Sequence, residues 1–142
     1  MTATHDFLFS RQHSNARWML AAAAAVAAVA HIPVIGSHLE EAPYMGALFI
    51  VLTAACFALG ATALIFDTKA VYAASAVTCS LAIVGYAATR LVAFPMLADD
   101  VGNWFEPLGI VSVISESLVV VASIVGVRRH RLAATPQLAA AR

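Results

Sequence analysis

Four long apolar segments, separated by short polar ones, set the hydrophobic pattern of this chain. The apolar segments cover residues 18–36, 44–66, 70–94 and 108–127. Each is close to the roughly 20 residues that a helix needs to cross about 30 Å of hydrocarbon. The pattern therefore predicts an all-α fold, a polytopic membrane protein built as a four-transmembrane-helix bundle.

The same pattern predicts the domain organisation. Residues 1–17 are expected to form a cytoplasmic N-terminal segment, residues 18–127 the transmembrane domain and residues 128–142 a cytoplasmic tail. Composition agrees, since 62% of the residues are hydrophobic and the mean hydropathy is +0.87. These values are typical of a chain whose main partner is the lipid bilayer.

Basic residues predict the orientation of the bundle. Those that flank the apolar segments all fall on one side, and they are Arg11, Arg17, Lys69, Arg128, Arg129, Arg131 and Arg142. The connections 37–43 and 95–107 on the other side contain no Lys or Arg and carry Glu40, Glu41, Asp99, Asp100 and Glu106. Because short cytoplasmic flanks retain Lys and Arg, the pattern predicts a multi-pass protein of the plasma membrane with both termini in the cytoplasm.

An alternative interpretation of residues 1–30 is a cleaved signal peptide. Ala28, Val29 and Ala30 resemble a small-residue cleavage site after an apolar core. Apolar character continues beyond that site through Ile32 and Val34. We therefore expect the segment to remain as the first membrane span.

Composition also argues against two classes of function. The net charge is zero and no basic stripe is present, which argues against binding to nucleic acid. Cys56 and Cys79 have no CxxC spacing and fall within predicted spans. They are therefore interpreted as packing residues and not as a redox site.

Three ionisable residues fall inside the predicted spans, namely His31, Arg90 and Glu116. A charge near the bilayer centre costs at least about 2.5–3.5 kcal/mol on insertion scales, so such residues usually have partners or a function. Counting about 1.5 Å per residue from the predicted outer ends, His31 and Arg90 lie roughly 6–8 Å deep and Glu116 about 13 Å deep. We expect the three to converge in the outer half, with Arg90 pairing with Glu116.

Aromatic residues of the outer connections extend this prediction. Tyr44 and Trp104 fall at the same end as His31, Arg90 and Glu116. Together these five residues are the predicted lining of an outward-facing polar pocket that binds a ligand. No comparable polar set is expected at the cytoplasmic end.

A divalent metal such as zinc is a second ligand that the outer residues suit, because imidazoles and carboxylates both bind it. The candidate ligands are His31, His38, Glu40, Glu41, Asp99 and Asp100. They show no fixed ligand spacing, and solvated loop charges are the alternative interpretation. Pro33 and Gly36 make it uncertain from sequence that His31 and His38 share a continuous helix.

Two segments carry a resemblance to known proteins. They are HIPVIGSHLEEAPYMG at residues 31–46 and DDVGNWFEPLG at residues 99–109. The chain resembles, over about residues 21–129, a group of small four-helix membrane proteins of unassigned function from high-GC actinobacteria. The resemblance implies the architecture and leaves the activity open.

The leading functional hypothesis is a membrane protein that binds or transports a small cation, a proton or a polar ligand in this outward-facing acidic pocket. One alternative is a membrane-embedded acid/base enzyme that acts on a lipid-soluble substrate through Glu116 or His31. Another is an accessory subunit of a larger membrane complex, or a homo-oligomer, since small residues favour helix association in lipid.

Overall fold

The computed structural model describes residues 14–140, and the side chains of residues 14–132. Four long helices follow one another, and a short 3₁₀ helix, Ala98–Asp100, precedes the last. The long helices are α1 Ala16–Glu41, α2 Pro43–Phe66, α3 Lys69–Leu91 and α4 Pro107–Ala140. All four are long and apolar enough to cross a membrane, α4 over Pro107–Leu132. The predicted all-α, four-helix membrane architecture is confirmed.

Parts of the predicted N-terminal segment and of the predicted C-terminal tail lie outside the described residues. These parts are residues 1–13, with Arg11, and residues 141–142, with Arg142. The described chain has four apolar helices of membrane-spanning length, as a multi-pass membrane protein does.

Successive helices run in opposite directions, so the bundle has two ends. The end that holds Ala42 and the connection 92–106 is called the Arg90 end. The end that holds the turn 67–68 and the start of α1 is called the Asp67 end. Helix α1 packs mainly against α2 and α4, and α3 packs mainly against α4. Helices α2 and α3 contact each other much less, although they are consecutive in the chain.

Helix α1 is longer than the sequence predicts. Residues 37–43 were expected to form a connection, but α1 continues to Glu41 and α2 begins at Pro43. Pro33 lies within the helix without ending it. Helices in lipid tolerate such a proline because neighbouring groups and local adjustments satisfy the freed backbone. The connection between α1 and α2 is thus reduced to Ala42, whose backbone N–H donates to the carbonyl of His38.

The turn between α2 and α3 is also short, and its two residues cap both helices. Asp67 adopts a left-handed conformation with φ of 35° and donates its N–H to the carbonyl of Ala63. Asp tolerates this region better than most residues. Thr68 then caps α3, because its side chain accepts a hydrogen bond from the backbone N–H of Val71.

Small residues let α1 approach its neighbours closely. Its buried face consists largely of alanines, including Ala24 and Ala27. Gly60 of α2 packs against this face, since a Cβ atom there would lie 3.4 Å from the Cβ atom of Ala24. Close approach of small residues is a main source of helix association in lipid, so α1 is the central packing element of the bundle.

Candidate functional site

An imidazole and a carboxylate meet inside the bundle, between α1 and α4. The Nε2 atom of His31 lies 3.5 Å from the Oε1 atom of Glu116. His31 is 4% exposed and Glu116 is 1% exposed. Two ionisable groups so deeply buried are expensive to place in a membrane unless each compensates the other.

Hydrogen bonding assigns the protons of this pair. The Nδ1 atom of His31 lies 2.5 Å from the carbonyl oxygen of Ala27, which only accepts, so Nδ1 carries a hydrogen. In a neutral imidazole, Nε2 is then an acceptor and faces a second acceptor on Glu116. The contact is favourable only when one further proton is present, either on the carboxyl group or on Nε2. The pair is therefore a site for one proton.

The depth of the two residues explains why they meet. With α1 ending at Glu41 and α4 beginning at Pro107, each residue lies nine or ten positions from its helix end. At 1.5 Å per residue, both lie about 14–15 Å from the Arg90 end. The predicted shallower depth of His31 is wrong because the predicted helix ended too early.

The surroundings of the pair are apolar or weakly polar. The ring of Phe49 lies 5.4 Å from the ring of His31, centroid to centroid. The interior of the bundle also holds the thiols of Cys56 on α2 and Cys79 on α3. Both cysteines are buried and free. Among the described residues, Glu116 Oε1 has no hydrogen-bond partner.

Arg90 does not pair with Glu116, and the prediction that it would is wrong. Its Nη1 atom lies 2.9 Å from Oδ2 of Asp100, and its Nη2 atom lies 3.7 Å from Oε2 of Glu106. The guanidinium also lies over the ring of Tyr86, 4.6 Å from its centroid. Arg90 is next to the last residue of α3, so the acidic connection that follows is nearer to it than the bundle interior.

Further hydrogen bonds hold this connection to the helices. The backbone N–H of Gly102 donates to the carbonyl of Arg90 at 3.0 Å. The hydroxyl of Tyr86 donates to the carbonyl of Trp104 at 2.9 Å, and that of Tyr44 donates to the carbonyl of Pro95 at 2.8 Å. Of the predicted pocket residues, Tyr44 thus contacts the connection and Trp104 is part of it. The five predicted residues do not form one cluster.

The predicted metal ligands are also dispersed. Within the described part of the chain, no group of three or more His, Cys, Asp or Glu side chains is placed to hold a metal ion. Glu40, Glu41 and Asp99 are exposed, and Asp100 pairs with Arg90. His38 lies on the same helix as His31, and both rings contact Phe49. The Nδ1 atom of His38 lies 2.8 Å from the carbonyl oxygen of Val34.

A second polar cluster lies at the Asp67 end, where none was expected. The Oδ1 atom of Asp67 accepts a hydrogen bond of 2.6 Å from the hydroxyl of Tyr72 and lies 3.4 Å from Nε2 of His130. Its Oδ2 atom accepts from the backbone N–H of Ser14 at 2.5 Å. Asp67, Tyr72 and His130 are each at most 2% exposed. The expectation of no comparable polar set at this end is wrong.

One signal in the sequence pointed to this cluster. Asp67 is an acidic residue in a flank that otherwise carries basic residues, and such a residue usually has a partner. Its partner His130 lies 63 positions away, within the basic stretch 128–131. The positive charge of that stretch predicts orientation and gives no indication of the partner of His130.

Two grooves on the described surface of the bundle have linings that do not include His31 or Glu116. The first has a volume of about 420 Å³, lies between α1 and α4 and is lined by Ala25, Val26, Val29, Ala30, Pro33, Leu108 and Val111. The second has a volume of about 250 Å³ and lies between α3 and α4 at the Asp67 end. At 4% and 1% exposure, His31 and Glu116 are packed inside the bundle and line neither groove.

No family model, curated protein or solved structure matches this chain. The resemblance to the small actinobacterial four-helix proteins stays a prediction. Arguments about function accordingly rest on the geometry of the bundle.

Proposed function

We propose that this protein binds and transfers protons across the plasma membrane, with His31 and Glu116 as the intramembrane proton site. The observation that carries the proposal is the 3.5 Å contact between two buried groups that need one proton between them. Carboxylates and histidines within membrane spans also form the proton relays of pumps and transporters.

A proton fits this site better than a larger ligand. His31 is 4% exposed and Glu116 is 1% exposed, whereas a metal ion or organic molecule needs space and several donors. A proton needs only an acceptor and a route of exchangeable groups. Among the cation, proton and polar ligand that the sequence left open, packing favours the proton.

The Asp67 cluster supports transfer as well as binding. His130 lies on the same helix as Glu116 and fourteen residues further along, a rise of about 21 Å. Ser123 lies between them, and its buried hydroxyl has no partner among the described residues. A proton route requires exchangeable groups at successive depths, and Glu116, Ser123 and His130 supply three of them.

We also propose that the Asp67 end faces the cytoplasm. Arg128 and Arg129 are exposed at this end, and the basic bias of cytoplasmic flanks supports the assignment. The Arg90 end exposes Glu40 and Asp99, and its one arginine is neutralised by Asp100 and Glu106. Protons would then exchange with the outside through an acidic surface.

The test is proton flux in liposomes that contain the full chain and an internal pH-sensitive dye. An imposed membrane potential should drive dye-reported acidification with the wild type. Glu116→Gln and His31→Gln should abolish it. Glu41→Gln is the matched control, because it also removes a carboxylate but at an exposed position, and it should keep the wild-type flux.

Infrared difference spectroscopy tests binding separately from transfer. A pH-dependent change in carboxyl bands that disappears in Glu116→Gln but persists in Glu41→Gln supports a proton on the pair. Wild-type flux equal to that of protein-free liposomes would refute transfer, and an unchanged infrared spectrum in Glu116→Gln would refute the site itself.

A further inference from the structure

A second imidazole lies on the same helix as the proton site, closer to the Arg90 end. His38 follows His31 by seven residues of α1, which is almost two turns and about 10 Å along the axis. His31 is 4% exposed, whereas His38 is half-buried and lies three residues before Glu41, the last residue of the helix. One histidine thus belongs to the bundle interior and the other to its surface.

Both imidazoles are held in the same way. The Nδ1 atom of His31 lies 2.5 Å from the carbonyl oxygen of Ala27. The Nδ1 atom of His38 lies 2.8 Å from the carbonyl oxygen of Val34. Because a carbonyl oxygen only accepts, Nδ1 carries a hydrogen in each ring. Nε2 is then the atom at which either neutral imidazole takes up and releases a proton.

The ring of Phe49 lies between the two imidazoles. Its centroid is 5.4 Å from that of His31 and 4.9 Å from that of His38. Together these two distances match the separation of the histidines along α1, so the phenyl ring fills the space between them. A phenyl group neither donates nor accepts a proton, and a hydrogen bond requires about 3 Å between its heavy atoms. With the ring in place, a proton cannot pass directly from one imidazole to the other.

Distances from the helix ends give the same order. At 1.5 Å per residue, His38 lies about 4–5 Å from the Arg90 end, Phe49 of α2 about 9 Å and His31 about 15 Å. Glu116 of α4 lies at the depth of His31, in contact with it. An imidazole at the surface, a phenyl ring and the proton site therefore follow one another into the bundle.

We propose that His38 takes up protons from the outer surface and passes them to the His31–Glu116 pair, and that Phe49 is the gate between them. This role rests on the proposed function, of which it is the outer half. Nε2 of His38 would bind a proton from water, so that the ring becomes an imidazolium. When the Phe49 ring turns aside, water bridges the two sites and the same proton passes to the pair. His38 then returns to its neutral form.

Proton flux tests the role of His38, in liposomes that contain the full chain, an internal pH-sensitive dye and an imposed membrane potential. His38→Gln should lose most of the wild-type flux. Ser37→Ala is the matched control, because the hydroxyl of Ser37 also donates to the carbonyl of Val34, at 3.1 Å, but titrates no proton at neutral pH. The control should keep the wild-type flux. Unchanged flux in His38→Gln would overturn the role of His38.

Removal of the Phe49 ring tests the gate. Phe49→Ala should raise the flux and make it independent of His38, because water then reaches the pair directly. The double variant Phe49→Ala/His38→Gln should therefore conduct as well as Phe49→Ala alone. Phe57→Ala, which removes a 45% exposed ring of the same helix, should keep the wild-type flux.

A larger ring provides a second variant in case Phe49→Ala does not fold. Phe49→Trp should lower the flux, because a bulkier side chain closes the passage further. Wild-type flux in the folded Phe49 variants would overturn the gate. A double variant as inactive as His38→Gln would also overturn it, since His38 would then be needed without the ring.

Glu116→Gln distinguishes failure of this role from failure of the proposed function. Wild-type flux equal to that of protein-free liposomes would refute proton transfer, and the roles of His38 and Phe49 with it. If instead Glu116→Gln abolishes the flux whereas His38→Gln and Phe49→Ala leave it unchanged, the proton site stands and only the roles of His38 and Phe49 are overturned.

Discussion

The hydroxyl of Tyr72 donates a hydrogen bond of 2.6 Å to the Oδ1 atom of Asp67, so α3 is tied to the turn that precedes it. The same carboxylate accepts from the backbone of Ser14 and contacts His130. One buried side chain therefore joins the start of α1, the turn 67–68, α3 and α4. We infer that Asp67 closes this end of the bundle.

Loss of the Asp67 charge should destabilise the bundle. Asp67→Asn keeps a residue that tolerates the left-handed backbone but weakens every charge-assisted bond, so we expect a loss of about 2 kcal/mol. Tyr72→Phe, which removes one donor, should cost about 1 kcal/mol. Thermal unfolding in detergent measures both, with Ser80→Ala at an exposed position of α3 as control. Stabilities equal to that control would show that the cluster contributes nothing.

Gly126 should not tolerate a side chain. A Cβ atom there would lie 2.5 Å from Cζ of Tyr72 and 2.6 Å from its Cε1. The ring cannot easily move, because its hydroxyl is bonded to Asp67. Gly126→Ala should therefore lower stability by about 1–3 kcal/mol, as overpacking usually does.

Gly85 on α3 provides the matched control for this substitution. A Cβ atom at Gly85 would meet nothing within 4 Å. Gly85→Ala should leave the unfolding temperature unchanged or raise it, because alanine favours the helix. An equal loss in both variants would mean that contact with Tyr72 does not decide the result.

The helices could be predicted because their signal is local. Length and apolar character alone identify a membrane span, and all four spans were found. The ends of the helices were harder to predict than the helices themselves, as α1 demonstrates. Pro33 and Gly36 suggested an interruption, but the tertiary environment of a lipid-spanning helix compensates for a proline. That error shifted His31 by five residues, about 1.4 turns, relative to the helix end.

Length and apolar character do not predict which residues the charged side chains contact. Depth along a helix says nothing about which helices are neighbours, and Arg90 had acidic candidates both in the bundle and in the next connection. The pairing of Asp67 with His130 joins residues 63 positions apart. Such contacts depend on the order of helices around the bundle, which the hydrophobic pattern does not encode.

Removal of Arg90 should loosen the connection 92–106. Arg90→Ala should cost about 2 kcal/mol, below the roughly 3–5 kcal/mol of fully buried pairs, because Asp100 and Glu106 are partly exposed. Arg90→Lys should recover only part of this loss, since one ammonium cannot match a guanidinium fork. Protease cleavage within residues 92–106 should become faster in both variants. Unchanged cleavage would contradict a positioning role for Arg90.

Topology reporters test the proposed orientation. A reporter fused after Arg142 should be cytoplasmic, and one inserted near Asp100 should be external, because exposed basic residues lie at the Asp67 end. Selective labelling of the two positions in intact cells measures this. An external C-terminus would invert the proposed direction of the bundle and place the Asp67 end outside the cell.

The last prediction distinguishes the observed pair, His31 and Glu116, from the pair that the sequence predicts, Arg90 and Glu116. His31 and Glu116 are in contact, so stabilities of the single and double alanine variants should deviate from additivity by about 0.5–3 kcal/mol. Arg90 and Glu116 have separate partners, so their double variant should be additive within about 0.5 kcal/mol. Unfolding in detergent measures both cycles on the same background. Additivity in the His31 cycle would mean that the 3.5 Å contact carries no energy, and Glu116 would then need another proton partner.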